Sequence, residues 1–274
     1  MKKLLILLLV GALIAGGFLL LKKDRQTNRH QSTDTPQNQT SEQKLPLIDL
    51  QPTVDAWAAK QTGSASVVII DLSNRQTVAS LNPDKVFFSA SIYKLYAAYL
   101  GYQKVADGTH KADEPYYGSY SRGKCLDEMI RSSHIPCGEK MAQELGSKYI
   151  MEKLKSYGLT GTEFAGAYAT TTASDAAIIL QRLYEKKDLN TAHAEIFLDS
   201  LKNQPEKYRI GLPSGFSKST VFDKVGWNEN LEWHDTAIVT LPNGRSFVVS
   251  VLTRSVGRAN VVALAQAIEA ELTK

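Results

Sequence analysis

The chain has 274 residues, 43% of them hydrophobic and 22% charged, with a formal net charge of +4. That length supports one large domain or two small ones, with a core that needs no metal or disulfide staple. Residues 1–44 carry the whole charge excess (Lys2, Lys3, Lys22, Lys23, Arg25, Arg29 and Lys44 against Asp24, Asp34 and Glu42), so the rest is balanced and the basic footprint of a nucleic-acid binder is excluded.

The first element is an apolar run from Leu4 to Leu21 behind two lysines. At about 1.5 Å per residue it nearly spans the roughly 30 Å hydrocarbon core of a bilayer. It is longer than the apolar region of a cleaved signal and ends in the bulky FLLLKK, so residues 1–22 read as an uncut, single-pass cell-membrane anchor. Flanking lysines give a weak vote for a cytoplasmic N-terminus, which puts the globular part on the extracytoplasmic side; cleavage would instead secrete it. Asp24 to Lys44 holds no aliphatic or aromatic side chain and cannot offset its ordering entropy, so residues 23–46 read as a flexible stalk.

The globular part, 47–274, opens with a helix near Val54 to Lys60. The stretch SASVVIIDLSNRQTVASL then reads as a hairpin turning at Ser73-Asn74-Arg75. After the apolar FFSASIYKLYAAYL, the segment from Gly101 to Asn203 is mostly helical by its three- and four-residue apolar spacing, with stops at Gly146 and Gly158. Toward the C-terminus, DTAIVTL and SFVVSVLTR pair across Pro242-Asn243-Gly244, and a last helix places Val261, Leu264, Ile268 and Leu272 on one face. Strands, helices, strands, helix is the order of an α/β (α+β) domain. Its antiparallel sheet is built from 47–90 and 215–274, and a helical part, 91–214, is inserted between them. No internal repeat is visible.

The two cysteines, Cys125 and Cys137, are either bonded to each other or buried as free thiols; a disulfide would contribute on the order of 3 kcal/mol. There is no C-x-x-C, and His30, His110, His134, His193 and His234 show no ligand spacing, so no metal or cofactor is expected.

Three S-x-x-K matches occur: Ser41/Lys44 in the stalk, Ser121/Lys124 in a polar loop, and Ser91/Lys94 in the apolar stretch. Only the last has a rigid, desolvated setting. The segment around Lys94 is apolar on every side if helical, and lysine is rarely buried without a partner. One helical turn separates Ser91 from Lys94, so the amine reaches the hydroxyl; burial and a second cation would lower its pKa until it can take the serine proton. The helix N-terminus adds its dipole and free N–H groups. The competing reading makes Ser89 or Ser91 a cap, with Lys94 snorkelling to solvent.

Downstream, MIRSSHIPCGEK places Ser133 between two helices, and FDKVGWNENLEW places Lys224-Val225-Gly226 at the start of a strand hairpin. From about Ser64 to the C-terminus the sequence thus resembles the penicillin-recognising serine enzymes, the class A β-lactamases and their peptidase relatives, with their S-x-x-K, S-D-N and K-[ST]-G motifs. The resemblance implies a β-lactamase-like three-layer sandwich on an antiparallel sheet of about five strands. It makes Ser91 the acylated nucleophile, Lys94 its proton acceptor, Ser133 the proton relay and Lys224 an electrostatic anchor. The backbone N–H groups of Ser91 and Trp227 would form an oxyanion hole, with Gly226, Val225 and His134 beside the substrate.

Three departures qualify this. Ile135 stands where the family has an asparagine that binds a substrate amide, and Val225 replaces a hydroxyl residue that binds a carboxylate. The loop GLTGTEFAGAYAT, 158–170, is a shortened Ω-loop without E-x-x-L-N; its only carboxylate, Glu163, reads as a solvated loop residue. The expected function is a β-lactam-opening serine hydrolase with doubtful deacylation; a D,D-peptidase-like enzyme acting on cell-wall peptides and an inactive binding protein of the same fold are the alternatives. The partners implied are a small-molecule β-lactam or a cell-wall peptide, and the membrane through the N-terminal helix, with the chain a monomer.

Overall fold

The computed structural model describes residues 47–166, 168–228 and 231–274. The expected anchor and stalk lie outside them, and no helix among the described residues is long and apolar enough to cross a membrane.

In chain order, α1 (Gln51–Ala58) precedes the hairpin β1 (Ser64–Asp71) and β2 (Gln76–Leu81). Then β3 (Phe87–Phe88) and a 3-10 turn (Ala90–Ile92) lead into α2 (Tyr93–Ala106). The middle holds β4 (Pro115–Tyr117), β5 (Tyr120–Ser121), α3 (Arg122–Arg131), α4 (Ile135–Leu145) and α5 (Ser147–Ser156). It continues with β6 (Glu163–Ala165), β7 (Tyr168–Thr171), α6 (Ala173–Tyr184), α7 (Thr191–Lys202) and the single turn α8 (Leu212–Gly215). The chain closes with β8 (Thr220–Trp227), β9 (Trp233–Thr240), β10 (Ser246–Arg254) and α9 (Arg258–Leu272).

Five strands form one antiparallel sheet in the order β2-β1-β10-β9-β8. The first hairpin and the last therefore meet at β1 and β10, where Val67 faces Val251 and Ile69 faces Val249. Alternation explains the near-continuous apolar runs: Val68, Ile70, Ile238 and Val248 join the core under α2, α3 and α6, while Val67, Ile69, Val249 and Val251 join the core under α1, α8 and α9. A strand buried on both faces needs apolar residues at every position. The result is three layers, helices on both sides of one sheet, as expected.

The first helix begins at Gln51 rather than Val54, because Pro52 sits in its first turn, where a missing N–H costs nothing. Gly146 and Gly158 do close the helices before them. Cys125 on α3 and Cys137 on α4 are bonded, with Cα atoms 5.3 Å apart, which settles the open alternative.

Residues 91–214 are not purely helical. The shortened loop is a hairpin, β6 and β7, which pairs with β3 in the order β3-β7-β6. Phe164 anchors it, buried edge-on against Tyr93 and Tyr96 of α2. A polar chain reinforces the attachment: Tyr96 OH meets Thr171 Oγ1 at 2.6 Å, Thr171 meets Thr162 at 2.9 Å, and Thr162 donates to Asp175 of α6 at 2.6 Å. Buried hydroxyls joined in this way leave none unsatisfied.

Candidate active site

Ser91 sits in the 3-10 turn that feeds α2, one step before the α-helix proper. The residue before it, Ala90, has φ +44°, a left-handed backbone that a side chain adopts only when the surroundings impose it. Here the restraints are the Ser89 N–H, which donates to Ala169 O of β7 at 2.9 Å, and strand β8 on the other side. A Cβ on Gly226 would lie 2.9 Å from Ser91 N and 3.1 Å from Ile92 N. Glycine is therefore what lets β8, the edge strand of the sheet, lie against the nucleophile turn.

Lys94 is 1% exposed, and α2 is buried around it from Tyr93 to Tyr102. It does not snorkel. Its Nζ lies 3.2 Å from Ser91 Oγ, 3.1 Å from Ser133 Oγ and 2.7 Å from the Ser133 carbonyl oxygen. Ser133 Oγ in turn donates to Ser91 Oγ at 3.0 Å, and Lys224 Nζ, wholly buried on β8, reaches Ser133 Oγ at 3.2 Å. Lys224 also donates to Val225 O at 2.9 Å. The four side chains expected to converge are thus brought within hydrogen-bonding distance in a chain running Lys94, Ser91, Ser133, Lys224.

Ser133 sits between α3 and α4 at φ +53°, a second left-handed residue at the site. The disulfide spans it, joining α3 to α4 on either side of this turn.

Burial and the nearby Lys224 charge push the Lys94 amine down to about 7. Glu139 opposes this shift. Burial also pushes Lys224 down, to about 8, against the pull of Asp223 and Asp235. Those two carboxylates are themselves buried, and the same desolvation raises Asp223 well above its usual range and Asp235 to about 7. Near neutrality, then, a neutral amine beside Ser91 and a cation beside Ser133 can coexist. A neutral Lys94 keeps two N–H donors for the oxygens of Ser133 and one lone pair for the Ser91 proton.

The remaining predicted residues are placed less directly. Trp227 is partly exposed at the end of β8, its ring stacked on Trp233 at 5.3 Å and near Tyr208 at 5.8 Å. His134 caps α4: Nδ1 accepts from Cys137 N at 3.3 Å, and the ring meets Tyr117 and Tyr120 edge-on. Only Nε2 is left for a ligand. Val225 is 0% exposed, so its side chain does not line an open cleft; its carbonyl holds Lys224. Ile135 is 60% exposed, an apolar group two residues past Ser133 at the start of α4. Glu163 is exposed on β6, paired in register with Thr170.

Two features escaped sequence reasoning. Gly138 lies mid-helix where a Cβ would come 2.8 Å from both Lys94 Cε and Tyr93 OH, so α4 rests directly on the lysine; a glycine inside a helical pattern is the signal for such close packing. Arg209 ion-pairs with Asp223 at 3.0 Å, and nothing local foretells that pair. His234, beside Gly226 in register, is structural: Nε2–H donates to Phe88 O at 2.7 Å, Nδ1 accepts from Thr253 N at 3.0 Å, and burial pushes it down to about 4. A groove of about 520 Å³ between α1 and α9 shares no residue with the constellation.

Solved structures with the same architecture include PBP-A, at TM-score 0.74 and 18% identity over 83% of this chain and 98% of that one. A class A β-lactamase representative from Bacteroides cellulosilyticus aligns at TM-score 0.72 and 15% identity, covering 82% of this chain and 99% of that one. An ancestral class A β-lactamase aligns at TM-score 0.72 and 18% identity, covering 80% of this chain and 98% of that one. No curated protein matches the sequence. The family model for the β-lactamase enzyme family matches residues 49–274, nearly the whole of the described chain, and the protein belongs to that family.

Proposed function

We propose that the protein is a serine hydrolase that opens β-lactams through an acyl-enzyme on Ser91. The observation that carries this reading is the chain of contacts from Lys94 through Ser91 and Ser133 to Lys224, with one lysine brought to about 7 and the other to about 8. Groups tuned apart in this way can act as base and as fixed cation at the same pH.

In acylation, the Ser91 proton passes to the Lys94 amine as Oγ bonds to the carbonyl carbon. The backbone N–H groups of Ser91 and Trp227 hold the oxyanion, a role supported by the approach of β8 to Ser91 N. Collapse breaks the carbon–nitrogen bond; Ser133 gives its proton to the departing nitrogen and recovers one from Lys94, under the field of Lys224. A point mutant of PBP-A, similar in fold at TM-score 0.72 and 17% identity, is described as an acyl-enzyme complex with penicillin G, which supports β-lactams as the first substrates to try.

A second reading, a D,D-peptidase-like enzyme acting on peptidoglycan stem peptides, is favoured by the β6–β7 hairpin, whose one carboxylate, Glu163, is exposed and strand-paired. Slow release of a β-lactam would follow from it. The disulfide supports an extracytoplasmic setting for either activity, with residues 1–22 as the membrane anchor. Intact mass of the full chain with a penicillin, followed in time beside Ser91→Ala, tests both readings. A transient adduct with hydrolysed drug is the result expected of a β-lactamase, and a persistent adduct that of a peptidase. No adduct with any β-lactam or acyl-D-Ala-D-Ala peptide would leave a binding protein.

A further inference from the structure

Strand β8 is an edge of the sheet, and its pairing with β9 decides which groups face outward. Asn228 N donates to Glu232 O at 3.3 Å, so even-numbered residues bond inward, and the N–H and C=O groups of Val225 and Trp227 face out from the edge. The Val225 carbonyl agrees, since it accepts from Lys224 Nζ at 2.9 Å. Side chains alternate across a sheet. Gly226 lies on the Ser91 side, where its Cβ would fall 2.9 Å from Ser91 N, so the Trp227 indole stands on the opposite face. There it is the middle of a row of rings. Trp233, its register partner on β9, is stacked 5.3 Å away at 18°, and Tyr208 lies 5.8 Å away at 40°. The outer rings each meet a cation, Lys207 over Tyr208 and Arg258 over Trp233, whereas none lies over Trp227 among the described residues. Trp227 is still 37% exposed.

We propose that Trp227 is a specificity-determining residue whose indole binds an aromatic ring carried on the acyl part of the substrate. The proposal rests on the acyl-enzyme reading. A carbonyl oxygen that accepts from the outward Trp227 N–H lies beside the β8 edge, with Ser91 on one face of the sheet and the indole on the other. Ser91 Oγ approaches the carbonyl carbon from the first face. A substituent of the acyl part that turns to the second face meets the indole, which begins on the same residue as the N–H. An offset or edge-on contact with Trp227, held in place by Trp233 and Tyr208, then favours substrates that carry a ring over those that lack one. The substrate class is thereby narrowed to acyl donors with an aromatic side arm.

The test compares second-order acylation rates of the full chain with two penicillins, benzylpenicillin and its analogue bearing acetamido in place of phenylacetamido, in wild type, Trp227→Phe and Trp227→Ala. Both probes keep the β-lactam, the carboxylate and the side-chain amide, so the ratio of their rates reads the ring alone. Wild type should favour benzylpenicillin, and Trp227→Ala should lower the ratio about 2–10-fold, the worth of one aromatic pair. Trp227→Phe should retain most of the preference, and it keeps the test open if the alanine variant does not fold. A ratio that is the same in wild type and Trp227→Ala would overturn the role of the indole while leaving the acyl-enzyme intact. So would a fall in both rates by the same factor, which would mean that Trp227 only shapes the strand. Adduct with neither penicillin in wild type would remove the acyl-enzyme itself, and this proposal with it.

Discussion

The helical side of the site holds Lys94 and the sheet side holds Lys224, and both amines are buried to the same degree. Their surroundings differ. Around Lys94 the neighbours in contact are neutral oxygens of Ser91 and Ser133, and its amine falls to about 7. Lys224 touches neutral oxygens too, but it feels Asp223 and Asp235, and it stays higher, at about 8. Deep burial of both amines with different neighbouring charges is enough to let one lysine act as a base while the other stays a cation. The carboxylates that do this lie outside the hydrogen-bonded chain itself.

The sharpest way to break this comparison is to exchange each lysine for arginine, which stays charged at any accessible pH. Lys94→Arg should lower acylation by about 10²–10⁴-fold, because the base is gone. Lys224→Arg keeps the charge and should cost visibly less; equal losses in stopped-flow acylation would mean the two sides do not differ as described.

Next in size is a change at the sheet side. Val225→Thr restores the family's hydroxyl, but at a position that is 0% exposed. Burial of that hydroxyl without a partner should cost about 1–3 kcal/mol in urea unfolding, with little gain in substrate affinity.

The pH dependence is subtler. Acylation needs Lys94 neutral, so its rate should rise through about 7; it needs Lys224 charged, so the rate should fall through about 8. Asp223 holds Lys224 up, so Asp223→Asn should draw the falling limb to lower pH and leave the rising limb in place. Movement of both limbs together would tie the lysines into one titrating unit.

The smallest effect is expected on the helical side. Ile135 is exposed, so Ile135→Asn should leave stability nearly unchanged. A recovered hydrogen bond to a substrate amide, about 0.5–1.5 kcal/mol, would lower KM by up to about tenfold. Unchanged KM for penicillin and peptide substrates would show that this rim position does not meet the amide.

The parts of this site that were legible in the sequence are those that violate a local rule. Lys94 stands out because a charge interrupts an apolar helix, and Ser91 follows from its spacing. The central sheet was legible because β1, β9 and β10 each announce themselves by composition. Asp235 did not, since an aspartate in a strand says nothing of its depth until register sets it diagonal to Asp223, twelve positions earlier along the chain. The β6–β7 hairpin was hidden for another reason. Its strands are three and four residues long and depend on Phe87 and Phe88, some eighty residues upstream, for a third strand.

The covalent link between Cys125 and Cys137 has a consequence for when the molecule becomes competent. It closes a thirteen-residue ring around Ser133, the residue that touches Ser91, Lys94 and Lys224. Under reducing conditions a copy of the chain would keep its nucleophile and both lysines while losing the clasp on the hydroxyl that joins them. Oxidation would then act as a maturation step, arming the site only where the two thiols can pair.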